Sequence, residues 1–307
     1  MWITTHDWYR MCSMIKLIQK TDSDFPPLIR EIPDAPKQLY IEGNTSPLFY
    51  PQQKILCIVG ARKYSNYGKE VTEKLVAGLK GYPITIVSGL ALGIDSIAHR
   101  SALDAGLHTI AFPGSGLDRS VLYPPSHKKL AEEILANDGA LLSEFDLLQA
   151  STPWTFPSRN RLMAGISHAT LVIEAELKSG TLITSKNATE YNRDVGTIPG
   201  AIFSPLSAGP HMLIRMGATP VTCVDDLLEF LGFARHEGQS SLALDDARLA
   251  TLGTYEKKIM EILRMGPTNK DTLVREIGLE THKANMIISS LELDGFIVEE
   301  GEMMRVM

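Results

Sequence analysis

The feature that most constrains this chain is a rhythm between residues 54 and 232. Six short apolar runs, Ile55–Val59, Ile84–Val87, Thr109–Phe112, Ala140–Leu142, Leu171–Ile173 and Val195–Ile198, alternate with helical patterns. The runs are mostly continuous, as strands buried on both faces must be. The helical patterns between them are Tyr67–Leu79, Asp95–Ala105, Ser126–Ala136, Asn160–Ser167 and Thr181–Arg193. A strand–helix–strand order of this kind predicts an α/β fold with a doubly wound, mostly parallel sheet.

The flanking segments read differently. Residues 1–50 form a short leader, Pro-rich from Pro26 to Pro47, which suits extended chain; residues 8–19 fit one amphipathic helix. Residues 51–232 form the α/β domain, and 233–253, with Gly238 and Ser240, read as a linker. Residues 254–307 hold three helical patterns, two closed by Gly278 and Gly295, then an apolar hairpin. Three helices and a hairpin predict a small winged-helix domain.

A chain of 307 residues with 44 % hydrophobic and 21 % charged residues is an ordinary globular composition, which excludes disordered, collagenous and coiled-coil classes. The formal net charge of -6 excludes a globally basic nucleic-acid binder but not a local basic groove. The charge is uneven: residues 1–50 carry -1, residues 51–232 carry -1 and residues 233–307 carry -4. Cys12, Cys57 and Cys223 are few and scattered, so no metal cluster is expected and a reducing compartment fits. Asp7, Arg10, Lys16 and Lys20 interrupt every apolar window near the N-terminus, so neither a signal peptide nor a membrane span is expected. The expected location is cytoplasmic.

In an open parallel sheet, ligands bind outside the carboxyl ends of the strands. Nearly every strand here ends in glycine, often beside a hydroxyl: Gly60-Ala-Arg62, Ser88-Gly89, Gly114-Ser-Gly116, Ser179-Gly180-Thr181 and Pro199-Gly200. Each glycine alone is explained by a tight turn. Several converging turns instead suggest bared amides for an anion. No GxxxxGK[ST] or GxGxxG occurs, so a dedicated nucleotide or dinucleotide site is weakly supported.

Two cationic sites sharpen the expectation. Arg62 follows the first strand, where its planar fork suits a phosphate. Phe156-Pro-Ser-Arg159-Asn160-Arg161 opens a helix, with Trp154 just upstream. That run is either a solvated helix start or a platform of cations and rings suited to single-stranded nucleic acid. Catalytic candidates are poor. Asp95 and His99 share a helix face but read first as a cap and a packed residue, and Glu174 and Glu176 pair only if the chain is extended there. The last helix, from Thr281 to Met286, has Lys283 as its one cation, and the wing holds Glu299, Glu300 and Glu302; this disfavours duplex binding.

Residues 54–232 resemble the DprA/Smf family of bacterial DNA-processing proteins. The matching segments are Ile58-Val-Gly-Ala-Arg62 with Tyr67-Gly68, Ser88-Gly-Leu-Ala-Leu-Gly-Ile-Asp95, Gly114-Ser-Gly-Leu-Asp118, Phe156-Pro-Ser-Arg-Asn-Arg161, Ser179-Gly-Thr-Leu-Ile-Thr184 and Pro199-Gly200. The resemblance implies an extended Rossmann-like fold that binds single-stranded DNA without catalytic turnover or cofactor. It implies a homodimer that protects incoming strands in natural transformation, works beside SSB and loads RecA. Its DNA-contacting positions carry over to Arg62, Ser88, Gly89, Phe156, Arg159, Arg161, Ser179 and Thr181, with Asn160 and Gly180 inside the same motifs.

The chain departs from the family pattern at Ala61, Leu92 and Pro210-His211, where a hydroxyl, a cation and a Ser/Thr-Asn pair are usual. The resemblance leads to the expectation that the helical domain preceding the core in many members is absent or reduced to residues 1–50. Two other functions remain in view. One is a phosphoribohydrolase-like nucleotide-processing enzyme, although the Pro-Gly-Gly stretch and trailing Glu of such enzymes are missing. The other is a duplex-binding regulator acting through the winged helix.

Overall fold

A computed structural model describes residues 15–234, 252–301 and 303–306. The chain divides between Arg235 and His236 into two compact units.

The first unit is a nine-stranded sheet with helices on both faces. Its strands are β1 (Lys16–Gln19), β2 (Gln38–Gly43), β3 (Lys54–Val59), β4 (Ile84–Ser88), β5 (His108–Ala111), β6 (Ala140–Ser143), β7 (Ala169–Val172), β8 (Asp194–Thr197) and β9 (Thr219–Pro220). They lie in the order β1-β2-β6-β5-β4-β3-β7-β8-β9. From β3 to β6 and from β3 to β9 all pairs are parallel. The chain therefore winds outward from β3 in one direction and returns through β7 in the other. The doubly wound, mostly parallel sheet stands as expected, and its switch point lies between β3 and β7.

Strand β3 shows why the runs are continuous. Ile55, Cys57 and Val59 enter one core, with Phe25, Ile29, Leu162 and Ile166. Leu56 and Ile58 enter the other, with Leu75, Val76, Ile94 and Ile97. Alternate side chains leave opposite faces of a strand, so a strand covered on both sides has no polar face to show.

The helices are α1 (Pro27–Glu31), α2 (Asn66–Gly78), α3 (Ile94–Asp104), α4 (Lys128–Ala136), α5 (Thr155–Ile166), α6 (Thr181–Glu190), α7 (Ala208–Arg215) and α8 (Val224–Phe230). Ser65 caps α2, its Oγ accepting from the Gly68 amide at 3.1 Å.

The expectation of a leader separate from the α/β domain is corrected over its described part. Lys16–Gln19 is a strand, not the end of a helix; the rest of the helix expected over residues 8–19 lies outside the described residues up to Met14. Strand β1 pairs antiparallel with β2, and β2 pairs antiparallel with β6, so the segment extends the sheet. Phe25, Ile29, Ile32, Leu39 and Ile41 are buried in the same core as β3. Arg119 clasps Glu42 of β2 with two hydrogen bonds of 2.7 and 2.9 Å.

The second unit contains α9 (Thr254–Met265), α10 (Lys270–Ile277) and α11 (Thr281–Leu293). Strands β10 (Thr268–Asn269), β11 (Ile297–Glu300) and β12 (Met303–Val306) form a sheet in the order β10-β12-β11. Its own core joins Ile259, Leu263, Leu273, Ile288, Leu291 and Met304. This is the expected winged helix. Most of the expected linker, residues 235–251, lies outside the described residues.

Candidate nucleic-acid interface

A crevice of about 440 Å³ opens beyond the carboxyl ends of β3 and β7, lined by Gly60, Ala61 and Arg62 on one side and Ser179, Gly180 and Thr181 on the other. This is the switch point, where adjacent loops part because the chain runs away from it in both directions. Four cations, Arg62, Lys63, Arg159 and Lys178, line it against two acids, Asp95 and Glu176. A chain with a net charge of -6 thus gathers a positive excess here. Lys63 and Lys178 sit inside the strand-end segments, but no motif in the sequence marks either one.

Arg62 is exposed and its guanidinium carbon lies 5.1 Å from the centroid of the Phe156 ring. Phe156 sits in the first turn of α5, its ring tilted against Tyr123 with centroids 5.6 Å apart. Gly114 makes the seat for that ring: a Cβ there would stand 2.5 Å from Phe156 Cδ1. Trp154 is exposed and rests edge-on against Phe145 at 5.5 Å, and it does not line the crevice.

Arg159 forms part of the floor. It is only 4 % exposed, and its Nη1 donates to the carbonyls of Gly89 and Phe112. Burial pulls its pKa down to about 10, while the nearby Asp95 carboxylate opposes that shift. The guanidinium still keeps its proton at neutral pH. Asp95, buried beside it, accepts from the Gly89 amide at 3.2 Å. Burial raises the Asp95 pKa, and Arg159 counters it. A Cβ on Gly89 would stand 2.1 Å from Arg159 Nη1 and 2.6 Å from Asp95 Oδ2, so only glycine lets this buried pair close around the β4 turn.

Ser88 and Gly89 are therefore not at the surface. Ser88 is buried and donates to the Ile58 carbonyl at 2.7 Å, and neither residue lines the crevice. Asn160 accepts from Arg159 Nε at 3.1 Å and donates to the Gly180 carbonyl at 3.3 Å, tying the floor to the opposite loop. Ser179 Oγ accepts from the Thr181 amide at 3.2 Å, and Thr181 Oγ1 donates to the Gly60 carbonyl at 3.1 Å. The two loops of the switch point are thus bonded directly. Gly180 stands at the start of α6 with open space around it. This suits backbone that an anion approaches.

The expected grouping of Arg161 with Arg62 and Arg159 as DNA-contacting positions is not seen at the crevice. Arg161 leaves the crevice: it bonds Glu144 and donates to the Asp34 carbonyl at 2.7 Å. Residues two apart on a helix point about 200° from each other, so Arg159 and Arg161 cannot serve one site.

The acid–base candidates also separate. Glu174 is buried and accepts from the Ser65 amide at 3.0 Å and from its hydroxyl, whereas Glu176 is exposed at the crevice. His99 Nδ1 meets Thr109 Oγ1 at 2.8 Å in the core, and burial lowers its pKa to about 3. Among the described residues no group of three His, Cys, Asp or Glu side chains is placed to hold a metal ion. No helix among them is long and apolar enough to cross a membrane. In the winged helix, Lys283 is paired with Glu280 at 3.2 Å.

Residues 16–232 match the model of the DNA recombination-mediator protein A family. This chain belongs to that family. Residues 245–302 match the DprA winged helix domain found with it. Protein Smf of Escherichia coli is 41 % identical over 216 residues, covering 70 % of this chain and 56 % of that protein. The match thus spans little more than half of that relative's length. DNA processing protein DprA of Streptococcus pneumoniae is 42 % identical over 207 residues, covering 67 % of this chain and 71 % of that one. The crystal structure of the pneumococcal protein aligns with a TM-score of 0.65 and 37 % identity, covering 76 % of this chain and 80 % of that chain. The Helicobacter pylori protein, whose structure was solved for its single-stranded DNA binding mode, aligns with a TM-score of 0.63 and 29 % identity, covering 71 % and 96 %.

Proposed function

We propose that this recombination-mediator family member holds single-stranded DNA in the switch-point crevice, with Arg62 and Phe156 as the first contact. The observation that carries this reading is the cation stacked on a ring at the mouth of a net-positive crevice. Single strands need cations for the backbone and rings for the bases, and this mouth supplies both within one contact. The Helicobacter pylori relative's single-stranded DNA binding supports it. Lys63, Lys178 and the start of α6 then serve the phosphates, while Arg159 and Asn160 hold the floor rigid.

In this reading the protein is a cytoplasmic, non-catalytic homodimer. It protects incoming strands during transformation, works beside SSB and passes the strand to RecA. Glu174, spent on Ser65, and the paired Lys283 argue against the nucleotide-processing and duplex-binding readings respectively. The test is a titration of single- and double-stranded oligonucleotides across a salt series, on wild type and Arg62→Ala, repeated with RecA present. Binding of single strands that falls steeply with salt and weakens in Arg62→Ala is expected. Equal affinity in the variant overturns the reading. RecA filaments forming no faster on SSB-coated strands in the protein's presence would remove the loading role.

A further inference from the structure

Beyond β8 the chain makes a tight turn, the Ser204 amide donating to the Ala201 carbonyl at 3.0 Å. The two corner residues are Ile202 and Phe203, 78 % and 93 % exposed. Turn corners normally take Gly, Pro, Asn, Asp or Ser, whose conformations or side chains favour the bend. An isoleucine and a phenylalanine held out in water gain nothing there for the fold. Phe203 makes no ring or cation contact among the described residues.

The turn is held at its base. Tyr67 Oη donates to the Pro199 carbonyl at 2.7 Å, and His211 Nε2 meets the Gly200 carbonyl at 3.0 Å. Its far end reaches the crevice: the Leu206 carbonyl accepts from the Ala175 amide at 2.8 Å, and Leu206 lines the crevice wall with Ile183. The apolar tip is therefore presented on a fixed stem, three residues from a lining residue.

We propose that Phe203, with Ile202 beside it, is a second base-stacking platform, which takes a base of the strand after it leaves the crevice. This rests on the single-strand reading above. A stable protein interface buries roughly 800 Å² per partner, far more than two turn residues supply. One exposed ring matches one base, and every base has a face to stack. Leu206, three residues further along the chain, lines the crevice, which puts the tip on the same loop as the crevice wall.

Full-length wild type, Phe203→Ala, Phe203→Trp and Arg62→Ala are titrated with oligothymidylates of about 4 and about 20 nucleotides, with mass measured by light scattering. The longer strand is expected to bind Phe203→Ala about 5- to 150-fold more weakly, the range for removing one stack, while the shorter one is unaffected. Phe203→Trp is expected to keep the affinity and to show tryptophan quenching on the longer strand. If Phe203→Ala binds both lengths like wild type while Arg62→Ala is weakened, the platform is overturned and the crevice reading stands. A changed mass with unchanged affinity also overturns it, assigning the tip to a second copy. If Arg62→Ala binds as wild type does, the crevice reading itself has failed.

Discussion

The guanidinium of Arg62 lies over the ring of Phe156, its central carbon 5.1 Å from the centroid. In the proposed reading, the cation turns to a phosphate and leaves the ring face to a base. Because Arg62 is exposed, its removal should leave unfolding free energy within about 0.5 kcal/mol of wild type. Single-strand affinity should fall about 10- to 100-fold, as expected when a charge-assisted hydrogen bond to phosphate is removed. The slope of log K against log salt should become shallower by about 0.7 for each phosphate that is no longer neutralised. Arg62→Lys should recover the slope but not the full affinity, since an ammonium lacks the planar face.

Arg159 should behave in the opposite way. It is buried, and its removal leaves the Gly89 and Phe112 carbonyls and the Asp95 carboxylate without their cation. Arg159→Ala should lower stability by about 3–5 kcal/mol, read by urea unfolding. A binding defect in that variant would report a damaged floor rather than a missing grip on DNA. Pairing it with Asp95→Asn should return part of the stability, because the stranded carboxylate is removed too.

The contrast between these arginines shows where sequence reading stops. Strand runs such as Ile55–Val59 announce themselves because burial on two faces leaves no polar position. Strand β1 gives no such sign: only Ile18 of Lys16–Gln19 is buried, and its partner residues in β2 are brought to it by the intervening chain. The crevice is legible because glycine turns, Gly60 and Gly180 among them, follow the carboxyl ends of the parallel strands. Which cations face it is not legible, since Arg159-Asn-Arg161 reads as one cluster in a line and as opposed directions on a helix. Ser88 sits at the end of a strand like a ligand-binding hydroxyl, yet its register turns it to the Ile58 carbonyl.

Arg161→Ala should therefore leave single-strand affinity and salt slope at wild-type values. Its cost should fall on the fold. The side chain is 17 % exposed and joins α5 to Glu144 and to Asp34, both outside the helix. Burial raises the Glu144 pKa, and Arg161 counters part of that rise. A stability loss of about 1–3 kcal/mol is expected from thermal unfolding. A weakened single-strand affinity without a stability loss would put Arg161 back in the binding surface.

The buried imidazole of His99 should make the fold acid-sensitive. Burial holds its pKa at about 3, against about 6.5 for a free histidine. Below pH 6.5 the unfolded chain takes up a proton that the folded chain refuses. Stability is therefore full above that pH and is lost as pH falls toward 3, by up to about 1.4 kcal/mol per unit. His108 and His168 are lowered by burial as well and act in the same direction. Asp95 and Glu144, raised by burial, act in the opposite one, because the folded chain keeps their protons more readily. Between about pH 6.5 and 5 the raised carboxylates oppose the histidines, so it is the comparison with His99→Asn, which keeps those carboxylates, that isolates the imidazole. Urea midpoints across that window should fall with acid in wild type and fall less steeply in His99→Asn. Equal slopes in the two proteins would show that another group sets the acid limit.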